Sequence, residues 1–385
     1  MVTVGSASSA QAANVQSAYE LLESRDRQAH VTAIIEEVTM STTSNGVSRT
    51  GLPTRRFGTT DMAITRVGFG AWAIGGPDWA AGWGAQDDSQ SVTAIRHAVE
   101  RGINWIDTAA VYGLGHSEEI VRRALAEIPE AERPYVFTKC GLVWDEADRK
   151  AMPRRIGKPD SIRRELEASL KRLGVERIDL YQMHWPAEHE AVEEYWQTLL
   201  DLKREGKVRA VGLSNHNATQ LETAERLGHV DTLQPPFSAI RRDVAASELP
   251  WCLSHQTGVI VYSPMQAGLL TGRFTVERAK ALPADDWRSS NANFTGEALE
   301  RNLALAQSFG PVAERHNTTI AAVAVAWVLS WPAITGAIVG ARTPAQVDGW
   351  LDAATLTLTP EDLDGIADSI ARTGAGSGPS HPNRA

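Results

Sequence analysis

The chain has 385 residues, of which 43% are hydrophobic and 22% charged, with a formal net charge of −9 and a pI near 5.6. That is globular material able to bury a sizeable core, and its acidic balance excludes non-specific binding to nucleic acid or to an anionic membrane, both of which need Lys and Arg to neutralise phosphates. Cys140 and Cys252 are the only cysteines and sit in no CxxC or Cys/His cluster, so a disulfide framework and a structural zinc site are excluded.

No apolar run reaches the length of a membrane helix, and no basic patch followed by an apolar core opens the chain. The expectation is a cytoplasmic protein with neither membrane nor nucleic acid as partner, its oligomeric state left open. Residues 1–52 are rich in Ser, Ala, Thr and Gln and read as a poorly ordered N-terminal extension. Within it, 12–23 and 29–38 have helical character without an evident partner, and Met40 offers an alternative start.

From 53 to 372 short apolar runs alternate with longer helix-period stretches. Strands are predicted at 65–70, 105–107, 136–139, 178–184, 208–214, 232–234, 259–262 and 337–339. Helices are predicted at 89–101, 118–127, 159–173, 192–205, 218–227, 244–254, 298–316 and 344–354. Eight strands, each followed by a helix, define the α/β class and a single (β/α)8 TIM barrel, with a doubly wound sheet as the structural rival. Residues 373–385 are rich in Gly, Ser and Pro and read as a disordered tail.

One match favours the rival. Gly68-Phe69-Gly70-Ala71-Trp72-Ala73 fits the dinucleotide fingerprint G-x-G-x-x-A, but that motif needs a helix whose N-terminus faces a pyrophosphate, and Gly75-Gly76-Pro77 follows instead. The match reads as a glycine-bearing strand end leading into a loop.

Barrel active sites form at the carboxyl ends of the strands. Asp107, Lys139, His184, Ser214, Gln234 and Tyr262 all stand at such ends, and Tyr112 follows Asp107 by five residues. Any one of them alone is an ordinary loop cap or surface group; their shared position is the signal.

These residues, in the segments Asp107-x4-Tyr112-Gly113, Thr138-Lys139, Tyr181-Gln182-Met183-His184-Trp185, Gly212-Leu213-Ser214-Asn215, Tyr262-Ser263-Pro264 and Val339-Gly340-Ala341-Arg342-Thr343, carry a resemblance to the aldo-keto reductase superfamily over roughly residues 55 to 370. The chain is similar to bacterial NADPH-dependent members of the general-stress and inositol-operon type. The resemblance implies hydride transfer from a nicotinamide cofactor to an aldehyde or ketone, reversibly giving an alcohol.

It also implies a catalytic tetrad of Asp107, Tyr112, Lys139 and His184. Tyr112 matches the general acid; a free phenol titrates near pH ~10, and a neighbouring ammonium lowers that value. Lys139 matches the ammonium, Asp107 its anchor, and His184 the group that orients and polarises the carbonyl.

Ser214, Asn215 and Gln234 match the side chains that bond the nicotinamide carboxamide, and Tyr262 the aromatic that stacks on the ring. Ser263, Met265, Gly268, Leu270 and Arg273 match the loop over the pyrophosphate, where open amides and a guanidinium suit phosphate oxygens. Gly340, Ala341, Arg342, Thr343 and Gln346 match the segment around the adenosine phosphate. Arg342 as partner of a 2′-phosphate puts NADP(H) ahead of NAD(H), although Gly349-Trp350 stands where Glu-Asn is common.

The chain has 12 tryptophans. Trp72, Trp79, Trp83, Trp144, Trp185 and Trp287 fall near the strand-end loops and are the candidate substrate walls, suited to apolar, ring-bearing or sugar carbonyls. Trp196, Trp251, Trp327 and Trp331 read as helix packing.

Three other readings compete. A metal-dependent hydrolase would use His184, Glu188, His189 and Glu190, but their spacing lacks HExxH geometry. A serine hydrolase at Ser214 fails because His216 takes the place of the glycine that a nucleophile elbow requires. A cofactor-sensing subunit with little turnover is the non-enzymatic alternative. Cys140, next to Lys139, reads either as an oxidation sensor or as a buried thiol.

Overall fold

A computed structural model of the chain describes residues 46–47, 51–77, 79–283 and 286–382. The expectations for 12–23, 29–38 and Met40 lie outside the described residues, as does nearly all of the 1–52 extension. From Pro53 onward the sequence builds a closed barrel of parallel strands.

The barrel strands are β1 (Val67–Gly70), β2 (Trp105–Asp107), β3 (Tyr135–Cys140), β4 (Ile178–Met183), β5 (Val208–Ser214), β6 (Thr232–Gln234), β7 (Gly258–Val261) and β8 (Ile334–Gly340). Each pairs in parallel with the next, and β8 closes onto β1 through Ala337 opposite Val67 and Gly340 opposite Gly70. The doubly wound rival is thereby excluded.

Every strand in this set is buried on both faces, one against the helices and one inside the barrel, as parallel sheets require. Between β2 and β8 the outer layer includes α1 (His116–Ala126), α2 (Pro159–Leu173), α3 (Val192–Arg204), α4 (Ala218–Glu225) and α5 (Glu248–Ser254). The predicted helix over 298–316 is two helices, Gly296–Ser308 and Gly310–Arg315, because Gly310-Pro311 interrupts the ladder.

A β-hairpin, Pro53–Arg56 with Ala63–Thr65, plugs the amino-terminal end of the barrel. Phe57 and Met62 at its tip, with Ile64, pack into an inner cluster with Trp105, Phe137, Leu180, Ala210, Ile260 and Ile338. Trp105 needs room: a Cβ at Gly68 would meet its ring at 2.2 Å. Gly68 therefore serves packing, and the segment after β1 holds only the 3-10 turn Trp72–Ile74, so the fingerprint match has no helix to face a phosphate.

The expected disordered tail differs over 374–382. Gly374 ends the helix Pro360–Thr373 in a left-handed conformation, and Ser377 then pairs with Arg241. The Arg242 guanidinium, 3% exposed, donates to the carbonyls of Ala375 (3.1 Å) and Gly378 (3.2 Å). Buried backbone acceptors with partners hold a Gly-rich strand that composition alone reads as free.

Candidate active site

The strand ends bring four side chains together at the barrel mouth. Asp107 ends β2 and Lys139 lies one residue before the end of β3, so both point inward and both are buried. The Lys139 ammonium donates to Asp107 Oδ1 at 2.6 Å and to the Thr108 carbonyl at 2.9 Å, and lies 3.5 Å from the Tyr112 hydroxyl. The Tyr112 ring lies edge-on to the imidazole of His184, with centroids 5.6 Å apart.

Burial sets the charges. It pushes the Asp107 carboxyl up and the Lys139 ammonium down, and each opposes that effect on the other. Burial holds His184 well below the usual imidazole range, helped by Lys139, so its ring is neutral. The Tyr112 phenol is pushed well above its ordinary range, by burial first and then by Asp107 and Tyr262. The expected lowering by Lys139 is outweighed, and the phenol is a held proton rather than a tyrosinate.

Beside these four lies a chain of polar groups from β5 and β6. The Ser214 hydroxyl donates to the Gln234 carbonyl at 2.8 Å, and the Gln234 amide donates to Asp107 Oδ2 at 2.8 Å. The Asn215 amide donates to the His184 carbonyl at 2.9 Å, and the Tyr262 hydroxyl to Asn215 Oδ1 at 2.7 Å. Asn215 is left-handed, φ 63°, which turns its side chain back over the mouth. Amide and hydroxyl groups on adjacent strand ends, with an aromatic ring beside them, form a donor set that fits a nicotinamide.

The segment after β7 is less open than expected. Ser263, Gln266, Ala267 and Gly268 all have positive φ, and Arg273 is exposed nearby. The amides of Gly268 and Leu270, however, both donate to the Met265 carbonyl at 3.1 Å, and Leu270 is fully buried. Those two amides are thus not open to a phosphate.

Gly340 ends β8 exposed, and the Thr343 hydroxyl caps the helix Pro344–Leu351 by accepting from the Gln346 amide. The Gln346 side chain in turn accepts from the Arg342 amide at 2.7 Å. The Arg342 guanidinium reaches across to the loop after β1, donating to the Ala85 carbonyl, to Gln86 Oε1 and, at 3.5 Å, to the Trp83 carbonyl. This contact joins two loops that sequence places 256 residues apart.

The tryptophans divide. Trp72 stacks on Trp287 (6.2 Å), meets Trp83 edge-on (5.4 Å) and faces Tyr112 (6.4 Å), while Trp79 faces Tyr112 from another side (6.1 Å). Trp144 packs on the same cluster. Trp185 stands apart, under the Arg155 guanidinium at 4.6 Å. Sequence reasoning missed Arg288, which lies 4.8 Å over the Trp83 ring, and the short antiparallel pair Leu142–Val143 with Arg154–Arg155 that carries Arg155.

Neither hydrolase arrangement forms. Glu188 and His189 are exposed, Glu190 accepts from the Gly157 amide, and no group of three candidate metal ligands occurs among the described residues. The His216 ring bonds the Tyr195 hydroxyl at 2.8 Å and the Ser214 backbone carbonyl at 2.8 Å, while the Ser214 hydroxyl is turned to the Gln234 carbonyl. Cys140 is buried, its thiol pushed well above the usual range, which favours the buried-thiol reading over an oxidation sensor.

A (β/α)8 barrel with a buried Lys–Asp pair beneath a tyrosine and a neutral histidine at its carboxyl mouth defines an oxidoreductase of the carbonyl-reducing class. The aldo/keto reductase family matches residues 66–371, and the chain belongs to that family. It is 34% identical over 317 residues to aldo-keto reductase YhdN of Bacillus subtilis, covering 82% of this chain and 92% of that one. It is 36% identical over 315 residues to the NADH-specific methylglyoxal reductase of Escherichia coli, covering 79% and 94%. Among solved structures, the glycerol dehydrogenase AKR11B4 of Gluconobacter oxydans is 39% identical with a TM-score of 0.77, covering 86% and 98%. The protein carries out NAD(P)H-dependent carbonyl reduction. Among the described residues no helix is long and apolar enough to cross a membrane.

Proposed function

We propose that Tyr112 delivers the proton to the carbonyl oxygen, with Lys139, anchored by Asp107, as the cation beside it and His184 as the neutral donor that orients the carbonyl. The convergence of the Tyr112 hydroxyl, the Lys139 ammonium and the His184 ring from separate strand ends carries this reading. The bound nicotinamide supplies the hydride; the chain's part is to hold groups in place and move one proton.

Ser214, Asn215 and Gln234 would hold the carboxamide, with Tyr262 beside the ring. Asn215 is oriented by the Tyr262 hydroxyl, the His184 carbonyl and the Ser214 hydroxyl, and its amide would exchange one of the last two for the carboxamide oxygen. Burial first, and then the nearby Arg288, disfavour the charge of the Arg342 guanidinium, and an anionic phosphate beside it would offset both. On that ground the preferred cofactor is NADP(H) rather than NAD(H), with Arg342 exchanging loop carbonyls for phosphate oxygens. Two buried, unpaired thiols suit the reducing cytoplasm.

The substrate class is short, oxygenated aldehydes or ketones. The Trp72 and Trp79 indoles lie against Tyr112, and two relatives are named for methylglyoxal and glycerol. The test is oxidation of NADPH or NADH, followed at its nicotinamide absorbance, against three-carbon carbonyls, aldoses, quinones and ring ketones. Turnover of short oxygenated carbonyls with NADPH, and a rise in KM for NADPH but not NADH in Arg342→Ala, is the expected result. Equal use of both cofactors by wild type and variant would overturn the NADP preference, and exclusive turnover of ring ketones would overturn the substrate class.

A further inference from the structure

We infer that Gln182 is a positioning residue: its side-chain amide gives the Asp107 carboxylate a third donor and so keeps the Asp107–Lys139 pair charge-separated. The inference rests on the reading of Tyr112, Lys139 and Asp107 given above.

Gln182 lies on β4, in register with Lys139 on one side and Gly212 on the other, two residues before His184. Side chains two apart on a strand share a face, so Gln182 occupies the layer directly beneath the mouth. It is fully buried. Neither atom of its amide makes a well-formed hydrogen bond among the described residues, yet it is near enough to Asp107 to lower that carboxyl's pKa.

The carboxylate has capacity to spare. Its two oxygens offer about four acceptor positions, and the structure gives one donor to each, Lys139 on Oδ1 and Gln234 on Oδ2. On the other side of Gln182 the lining is open for a reason: a Cβ at Gly212 would stand 2.0 Å from Thr232 Oγ1 and 3.3 Å from Gln182 Cγ. The Thr232 hydroxyl is itself buried without a partner. Three unpartnered polar atoms thus surround a position kept free of a side chain. Of these only the Gln182 amide N–H and the Thr232 hydroxyl can donate, and a rotation of Gln182 or one bridging water would bring the amide N–H to the carboxylate.

Packing gives no reason for an amide at this depth, since a methionine fills similar volume without the desolvation cost. The ion pair does give one. Two buried charges are sustained only where further hydrogen bonds satisfy them, and a donor to the carboxylate favours its charged form.

The test is the titration of Asp107 in protein carrying carboxyl-labelled aspartate, followed by carbon NMR and assigned by its loss in Asp107→Asn. In Gln182→Met the Asp107 titration rises by about one pH unit, the size of one lost hydrogen bond to a charged group. A folded Gln182→Met in which Asp107 titrates as in wild type overturns the inference. Should Gln182→Met not fold, Gln182→Asn, which withdraws the amide by one methylene, decides by the same shift; loss of fold in both assigns Gln182 to packing. The readout needs no turnover, so a wild type inactive on every carbonyl would overturn the function without deciding the role of Gln182.

Discussion

The ammonium of Lys139 stands 2.6 Å from Oδ1 of Asp107, and neither side chain is more than 3% exposed. Each is charged because the other is there. Asp107→Asn leaves the lysine's charge uncompensated, and breaking such a buried pair costs about 3–5 kcal/mol. Denaturant unfolding should show that loss for Asp107→Asn, with most of it recovered in the double variant Asp107→Leu, Lys139→Met. Carbonyl reduction stays absent in both. Equal stability of Asp107→Asn and wild type would mean that the pair is not held as described.

The pH dependence of reduction follows from three directions of shift. Tyr112 is raised and keeps its proton, His184 is lowered and is already neutral, and Lys139 is lowered, so of the two groups still protonated near neutral pH it loses its proton before Tyr112 as pH rises. The kcat for reduction should therefore fall on the alkaline side, with its midpoint below the ordinary lysine value of about 10.4. It should show no inflection near the usual imidazole value of about 6.5. An inflection there, removed in a folded His184 variant, would contradict the neutral-donor role.

Glu165, on α2, accepts from the Gly141 amide at 2.8 Å and the Ser161 hydroxyl at 3.1 Å, and burial raises its carboxyl to about 7. The native state therefore binds this proton more tightly than the unfolded chain. The resulting stability is fully present below the unfolded value, about 4.3, and is lost as pH rises through the native value. Glu165→Gln does not titrate. Its stability relative to wild type should grow by on the order of 3 kcal/mol across that window, measured by urea unfolding at either end. A constant difference would place the Glu165 carboxyl in its ordinary range.

Much of this was readable from the chain, and the limits have physical causes. The strand ends were legible because short apolar runs stop at Asp107, Lys139, His184 and Gln234, and barrel topology gives their common location. The helix Ile320–Leu329 was missed because every residue from Ala322 to Leu329 is buried: with no polar face, the sequence IAAVAVAWVL has no helical period. Arg342 was legible as a cation but not as a tie to residues 83–86, since nothing local encodes a contact across the mouth. The same holds for Arg242 and the tail. Gln182 was quoted only as part of a motif; its unpartnered amide is visible only once Gly212 and Thr232 are beside it.

Tyr112→Phe tests the central claim most directly, because it removes one oxygen from a ring packed among Trp72, Trp79 and His184 and leaves the packing in place. Cofactor affinity, measured by quenching of tryptophan fluorescence, should be unchanged, while kcat for carbonyl reduction falls by roughly 10²- to 10⁴-fold. A variant that binds cofactor normally and reduces carbonyls at the wild-type rate would contradict Tyr112 as the proton donor.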